Sequence, residues 1–459
     1  MNYVRLSRSI ASSNKNSIAK NKTQSLGKPR TVLESPLDPS NGLPLWKQSD
    51  KNRTNRRNKA DKIKLGIINV VTLKGKIEEC IDTMIDRKLD ILGLSEVKWT
   101  GKGTKELRAG YHIYWSGGES ARNGVALIVN DSINEKILDV QNVNDRVMKM
   151  KVKLNQNQQL TILQCYAPQV GCSQEDKILF ERILEDHIDQ ENVIIMGDMN
   201  AQVGTERQNY EQITGPWGFG NQNEEGKRLL DLCLRNALLI TNTQFQKRKS
   251  HKVTRYSWDG SCETLIDYFM ISQNMKQDLL DVKVIPSVDL KSDHRLVVCT
   301  LNLKTQKQKI TSKERKIKSW KLKEETVAEK FRDVLQRKLP IVEDENLDEV
   351  WKIFKEAVIT SAEEVCGRTN GRRRWKETPW WNEKTKKATT ERNNAFRRHF
   401  KYRTEETKED YKKAKKEASK TVNDERQKWY SEWGEKLGED ADGNKKMLYS
   451  LLRSKRRSN

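Results

Sequence analysis

Between residues 63 and 304, short apolar runs alternate with segments whose apolar residues recur at helical spacing. KLGIINV (64–70) reads as a strand. GKIEECIDTMIDR (75–87) carries Ile77, Cys80, Met84 and Ile85 at helical spacing, and DILGLSE (90–96) returns to strand. A strand-rich run follows through YHIYWSG, GVALIVN, RVMKMKVKL and QLTILQCYAP. EDKILFERILEDHI (175–188) is an amphipathic helix, NVIIMGD a strand, EEGKRLLDLCLRNALL a helix and LITNT a strand. LIDYFMIS and HRLVVCTLNL close the set. This pattern predicts one mixed α/β domain of two sheets packed face to face, with helices outside.

Charge divides the 459 residues into three parts. The net charge is +23, yet residues 63–304 hold 31 basic and 32 acidic residues. Residues 1–62 hold 14 basic and 4 acidic residues with scattered Pro and Ser, and are expected to be a basic disordered tail. Residues 305–320 read as a charged linker. Residues 321–459 read as a basic helical region, with one apolar stripe at Leu347, Val350, Trp351, Phe354, Val358 and Ala362. A second runs through Tyr411, Ala414, Ala418, Val422, Trp429, Trp433 and Leu437. Basic flanks around a near-neutral core imply a polyanionic partner, DNA first, with RNA also open. No apolar run is long enough to span a membrane. Seven cysteines without a C-x-x-C pair point to neither a disulfide framework nor a zinc ribbon, and to the nucleus or cytoplasm.

Polar residues sit where the apolar runs end. Asn69 ends the first strand and Glu96 the second. Tyr166 closes QCYAP, and IIMGDMN supplies Asp198 and Asn200. Asn242 lies in LITNT, Asp267 is embedded in LIDYFMIS, and Asp293 and His294 precede the last strand. Side chains two apart in an extended chain share a direction, so Asp198 and Asn200 are expected to aim at one place. Carboxylates against apolar runs are costly unless paired, hydrogen-bonded or metal-bound. An all-oxygen set with a single His suits Mg²⁺ or Mn²⁺ better than zinc. A strand Asp beside a His is also how an imidazole is oriented and kept protonated. The combination suggests metal-assisted phosphoryl-ester cleavage.

In order, the motifs GIINVVTLKGK, DILGLSEVKW, QCYAP, IIMGDMNAQVG, LIDYFMIS and SDHRLVV resemble the exonuclease–endonuclease–phosphatase superfamily. Within it they are similar to the endonuclease domains of RTE-like non-LTR retrotransposons. Host proteins of the craniofacial development protein 2 type carry a similar domain. The resemblance covers about residues 63–304 and implies a four-layer α/β sandwich. It implies Glu96 as principal metal ligand, with Asn69 and Asp293 beside it. It casts Asp198 as the group that aligns or deprotonates water, and Asn200 as positioning water or phosphate. Tyr166 would bond a phosphate oxygen, and His294, oriented by Asp267, would stabilise the charged phosphorane. Asn242 would line the groove. The implied reaction is a Mg²⁺-dependent nick in DNA leaving a 3′-hydroxyl. Ile68, Val71 and Leu265 depart from the family pattern.

ETPWWNEKTKKATTERNNAFRRHF (377–400) resembles the linker before the reverse transcriptase in such elements, and no Y-x-D-D occurs. The chain is therefore expected to be a truncated element product or a host gene derived from one. Two other readings stay open at this level. One is another phosphodiesterase or phosphatase of the same superfamily. The other is a non-catalytic protein that binds chromatin or proteins through its basic helices.

Overall fold

The computed structural model describes residues 61–155, 158–189, 192–257, 261–303, 316–339, 347–369 and 377–442, with positions 445 and 449. Residues 1–60 of the expected N-terminal tail and residues 305–315 of the expected linker lie outside the described residues.

Strand β1 (Asp61–Asn69) leads into α1 (Ile77–Arg87) and β2 (Ile91–Ser95), followed by β3 (Lys102–Glu106), β4 (Tyr111–Ser116), β5 (Val125–Asn130) and the one-turn α2 (Asp131–Asn134). Next come β6 (Ile137–Asn142), β7 (Val147–Lys153), β8 (Gln159–Tyr166), α3 (Gln174–Asp186), β9 (Val193–Asp198), α4 (Glu224–Arg235) and β10 (Leu238–Ile240). The short strands β11 (Arg255–Tyr256) and β12 (Glu263–Thr264) pair before β13 (Asp267–Ser272), β14 (Leu279–Ile285) and β15 (Leu296–Leu303). One sheet has the order β14-β15-β1-β2-β5-β4-β3, and the other β10-β13-β9-β8-β7-β6.

Strand alternation sorts the apolar residues into three cores. Leu65, Ile67, Leu127, Ile162, Ile194, Met196, Phe269 and Val297 meet between the sheets. Ile68, Leu92, Leu94 and Leu296 face outward onto Cys80, Ile81 and Met84 of α1. Leu163, Val193 and Ile195 face outward onto Phe180 and Leu184 of α3 and Leu230 and Cys233 of α4. The result is four layers: α1, sheet, sheet, then α3 with α4. Gly93 faces the inter-sheet space without a side chain, and the amide of Gln164 fills the room; a Cβ there would lie 1.9 Å from Gln164 Oε1.

Among the described residues four helices follow: α5 (Glu325–Lys338), α6 (Leu347–Cys366), α7 (Glu383–Tyr402) and α8 (Glu405–Asp442). The α6 stripe stays largely in solvent, with Leu347, Trp351 and Phe354 exposed. The stripe on α8 is covered at Ala418 and Val422, and Trp380 packs 5.4 Å from the ring of Trp429. Helices α7 and α8 are fastened to the sandwich by polar contacts. The fully buried Arg392 pairs with Glu79 of α1 (Nη1 to Oε2, 2.9 Å) and donates to the carbonyl of Asp289 (3.0 Å). Trp381 Nε1 donates to Asp82 (2.9 Å), and Tyr411 OH donates to Asp289 Oδ2 (2.8 Å). Among the described residues, no helix is long and apolar enough to cross a membrane.

Candidate active site

Parity and register bring the polar strand ends together. Asn69 follows Leu65 and Ile67 at two-residue spacing, Asp198 follows Ile194 and Met196, and Asp267 precedes Phe269 and Ile271. Each therefore points into the space between the sheets, as does Tyr166, which packs on the inter-sheet core. In the second sheet Tyr166 is level with Asp198, and Asp198 with Asp267, so three functional groups form one row across β8, β9 and β13. In the first sheet Asn69 is level with Ser95, immediately before Glu96. Ser95 Oγ donates to the carbonyl of Cys165 (3.0 Å) and accepts from Gln164 Nε2 (3.1 Å), tying the sheets beneath the row.

Hydrogen bonds close the row into a cluster. Asn69 Nδ2 donates to Asp198 Oδ2 (2.9 Å) and Glu96 Oε1 (3.2 Å). Tyr166 OH donates to the same Glu96 oxygen (2.5 Å) and accepts from Gln169 (3.2 Å). His294 Nδ1 lies 2.9 Å from Asp267 Oδ2, and its Nε2 lies 3.9 Å from Asp198 Oδ2. Asp267 Oδ1 is buried without a partner. Burial raises Asp198 to about 6, with the charge of Asp267 adding to the rise and His294 opposing it. Burial pulls the His294 imidazole down, but Asp267 and Asp198 outweigh it and lift the group to about 9. The site thus holds an imidazolium beside a carboxylate of high proton affinity.

Backbone strain marks the same place. Glu96 (φ 53°), Asn200 (φ 47°) and Val71 (φ 59°) all adopt the left-handed region. At Val71 the turn lets its N–H donate to Asn69 Oδ1 (2.8 Å) and fix that amide. Gly197, at φ 145°, allows β9 to pass close to Cys165, where a Cβ would lie 1.9 Å from the carbonyl oxygen.

At three expected positions the structure shows what each side chain holds. Asn200 does not share the direction of Asp198, because β9 ends at Asp198 and the chain then turns. Its backbone N–H donates to Asp198 Oδ1 (3.0 Å), and its side-chain amide donates to the carbonyl of Ala167 (2.8 Å). Asn242 sits in a 3₁₀ turn after β10, and its amide bridges the backbone of Asp267 and Phe269 (3.0 Å each). It holds the strand that carries Asp267. Asp293 is not joined to Glu96; its Oδ2 pairs with Arg255 Nε (2.8 Å). Sequence reading passed over Ser292, whose Oγ donates to the carbonyl of Asn69 (2.6 Å) and accepts from the N–H of His294 (3.0 Å). A Ser two residues before a loop His is the available signal, since such hydroxyls bond backbone groups two residues on.

The donor set fits a hard divalent cation: carboxylate oxygens of Glu96 and Asp198 meet at the Asn69 amide nitrogen, and no thiol takes part. Asp198, Asp267 and His294 also lie close enough to share an ion. Nδ1 of His294 is already engaged by Asp267, however, and a protonated imidazole is no ligand. Glu96, with Asn69 and Asp198 next to it, is the better cradle.

A two-sheet sandwich with carboxylates, an imidazolium and a buried tyrosine at one open end defines a phosphodiesterase or nuclease fold. Residues 71–294 match the Endonuclease/Exonuclease/phosphatase family. Over 247 residues the chain is 37% identical to craniofacial development protein 2 of Bos taurus, covering 52% of this chain and 41% of that protein. The chain thus spans about two fifths of the length of that relative. Among solved structures it is similar to the catalytic domain of Xenopus laevis APE2 (TM-score 0.42, 16% identity, 54% of this chain and 94% of that one). It is also similar to the endonuclease domain of TRAS1, a telomere-specific non-LTR retrotransposon (TM-score 0.40, 16% identity, 53% and 100%).

Proposed function

We propose that the chain is a Mg²⁺-dependent DNA endonuclease that nicks one strand and leaves a 3′-hydroxyl. The observation that carries this reading is the His294–Asp267 pair set 3.9 Å from Asp198 and joined through Asn69 to Glu96. Phosphodiesters resist hydrolysis because their anionic oxygens repel the nucleophile, so a catalyst must supply positive charge and an aligned water. Glu96 would hold the cation, with Asn69 beside it and Mn²⁺ able to replace Mg²⁺; when bound, it would neutralise phosphate oxygen charge. Asp198 orients the water and accepts its proton, and the Asn200 N–H keeps that carboxylate in place. Tyr166 and protonated His294 face the phosphate oxygens. Asp293, paired with Arg255, stands beside His294 and the cation. Asn242 serves by holding the backbone of Asp267.

In this reading the chain consists of a basic N-terminal segment, the catalytic sandwich and a basic helical tail, and it works on DNA in the nucleus or cytoplasm. The net charge of +23 supports the DNA partner. The test is supercoiled-plasmid nicking by the full chain in Mg²⁺ against EDTA. Wild type should nick at least about 10²-fold faster than Asp198→Asn or His294→Ala. Equal rates would overturn the assignment. Cleavage of small phosphate esters alone would favour another phosphodiesterase.

A further inference from the structure

The elbow between α7 and α8 encloses a cavity of about 450 Å³ against the sandwich, within the size range of small-ligand sites. Ser292 and Asp293, next to His294 in the chain, form one wall. The opposite wall comes from Phe396, Phe400, Arg403 and Lys415. Both walls are fixed. Arg392 is buried between Glu79 and Asp289, and Tyr411 also holds Asp289.

Arg295 joins the walls. Its guanidinium lies 5.1 Å from the ring centres of both Tyr256 and Phe396, and Nη1 donates to the carbonyls of Ser292 (3.0 Å) and His294 (3.2 Å). Nε of Arg295 is buried without a hydrogen-bond partner. Arg403 lies 5.6 Å from the ring centre of Phe400 and 6.0 Å from that of Tyr256. Burial, together with Lys291, Arg392 and Arg295, holds Lys415 below its ordinary value against the pull of Asp289. Five basic side chains line the cavity against two acids. Both acids are already engaged, Asp293 with Arg255 and Glu405 with Lys408, while Arg403 lies 3.9 Å from Glu263 and Lys412 pairs with Glu409. Concave, cationic and lined by flat rings and guanidinium planes, the cavity matches what holds an unstacked nucleotide: charge for the phosphate and planar faces for the base.

We propose that this cavity binds a phosphate and its adjoining base on the nucleic-acid strand beside the bond to be cut, so that the C-terminal hairpin forms part of the substrate surface. The proposal rests on the nuclease reading for the identity of that strand. The phosphate pairs with Arg403 and Lys415, and the base lies against Phe400 and Tyr256.

The test is fluorescence anisotropy of the full chain with a labelled 20-nucleotide single strand in EDTA, across a series of NaCl concentrations. Arg403→Ala/Lys415→Ala should weaken binding at least about tenfold and lower the slope of log affinity against log salt by about 1 to 2. Lys387→Ala/Lys428→Ala removes the same charge from exposed sites on α7 and α8 and should leave both values near wild type. The conservative variant Arg403→Lys/Lys415→Arg should restore the slope, and it serves as the decisive comparison if the alanine variant melts earlier than wild type. Equal losses in the cavity and control variants, or none in either, would overturn the proposal. Nicking is measured in parallel. Nicking that needs Asp198, with binding indifferent to Arg403 and Lys415, leaves the nuclease reading standing and removes the cavity. Binding that depends on the cavity, with no nicking in Mg²⁺ or Mn²⁺, does the reverse.

Discussion

His294 Nδ1 lies 2.9 Å from Asp267 Oδ2 with both side chains buried, so the carboxylate fixes the ring and holds its proton. Asp267→Asn keeps the shape and removes the charge. The imidazole should lose protonation at lower pH, read from the His294 ring resonances by NMR. The nicking rate should drop by about 10²–10⁴-fold. An unchanged His294 titration would dismiss the pair as the source of its charge.

Stability in metal-free buffer should carry the signature of the same group. The folded pKa of His294 stands at about 9, above its ordinary 6.5. A raised folded pKa stabilises fully below about 6.5, and the gain is lost as pH rises through 9. In EDTA, the stability advantage of wild type over His294→Gln should therefore shrink between pH 6.5 and 9.5. Urea unfolding at both ends of that window measures it, and a constant difference would contradict the account.

Arg392 is the interior cation that fastens α7 to the sandwich. Arg392→Met leaves buried Glu79 and Asp289 without their guanidinium, and breaking such a pair costs about 3–5 kcal/mol. Glu79→Gln/Arg392→Met removes both charges and should recover part of the loss. Chemical denaturation of the full chain decides this. A double variant no more stable than the single one would show that packing, not charge, holds the helix.

Gly197→Ala should be severe, because the new methyl meets the Cys165 carbonyl at 1.9 Å and the backbone stands at φ 145°. The shift would also displace the adjacent Asp198. Gly171→Ala, with nothing within 4 Å, should change the thermal midpoint little. Comparable melting of the two variants would refute the close approach of β8 and β9.

The amino-acid sequence by itself determined the strands and helices of the sandwich, because apolar spacing is local and the two periods, 2 and 3.6, are distinct. It also placed Asn69, Glu96, Tyr166, Asp198 and Asp267 at or beside strand ends. Tertiary structure decided what those ends meet. Whether Asp198 stands beside Tyr166 and Asp267 depends on strand pairing between residues far apart in the chain, which spacing within one strand does not encode. The turn at Asn200 redirected a side chain that an extended strand would have aligned with Asp198. Asp293 found Arg255 on the β11 strand, and Arg392 found Glu79 across 313 positions. Nothing local marks either partner, because an ion pair of this kind exists only once burial has brought the two charges out of water.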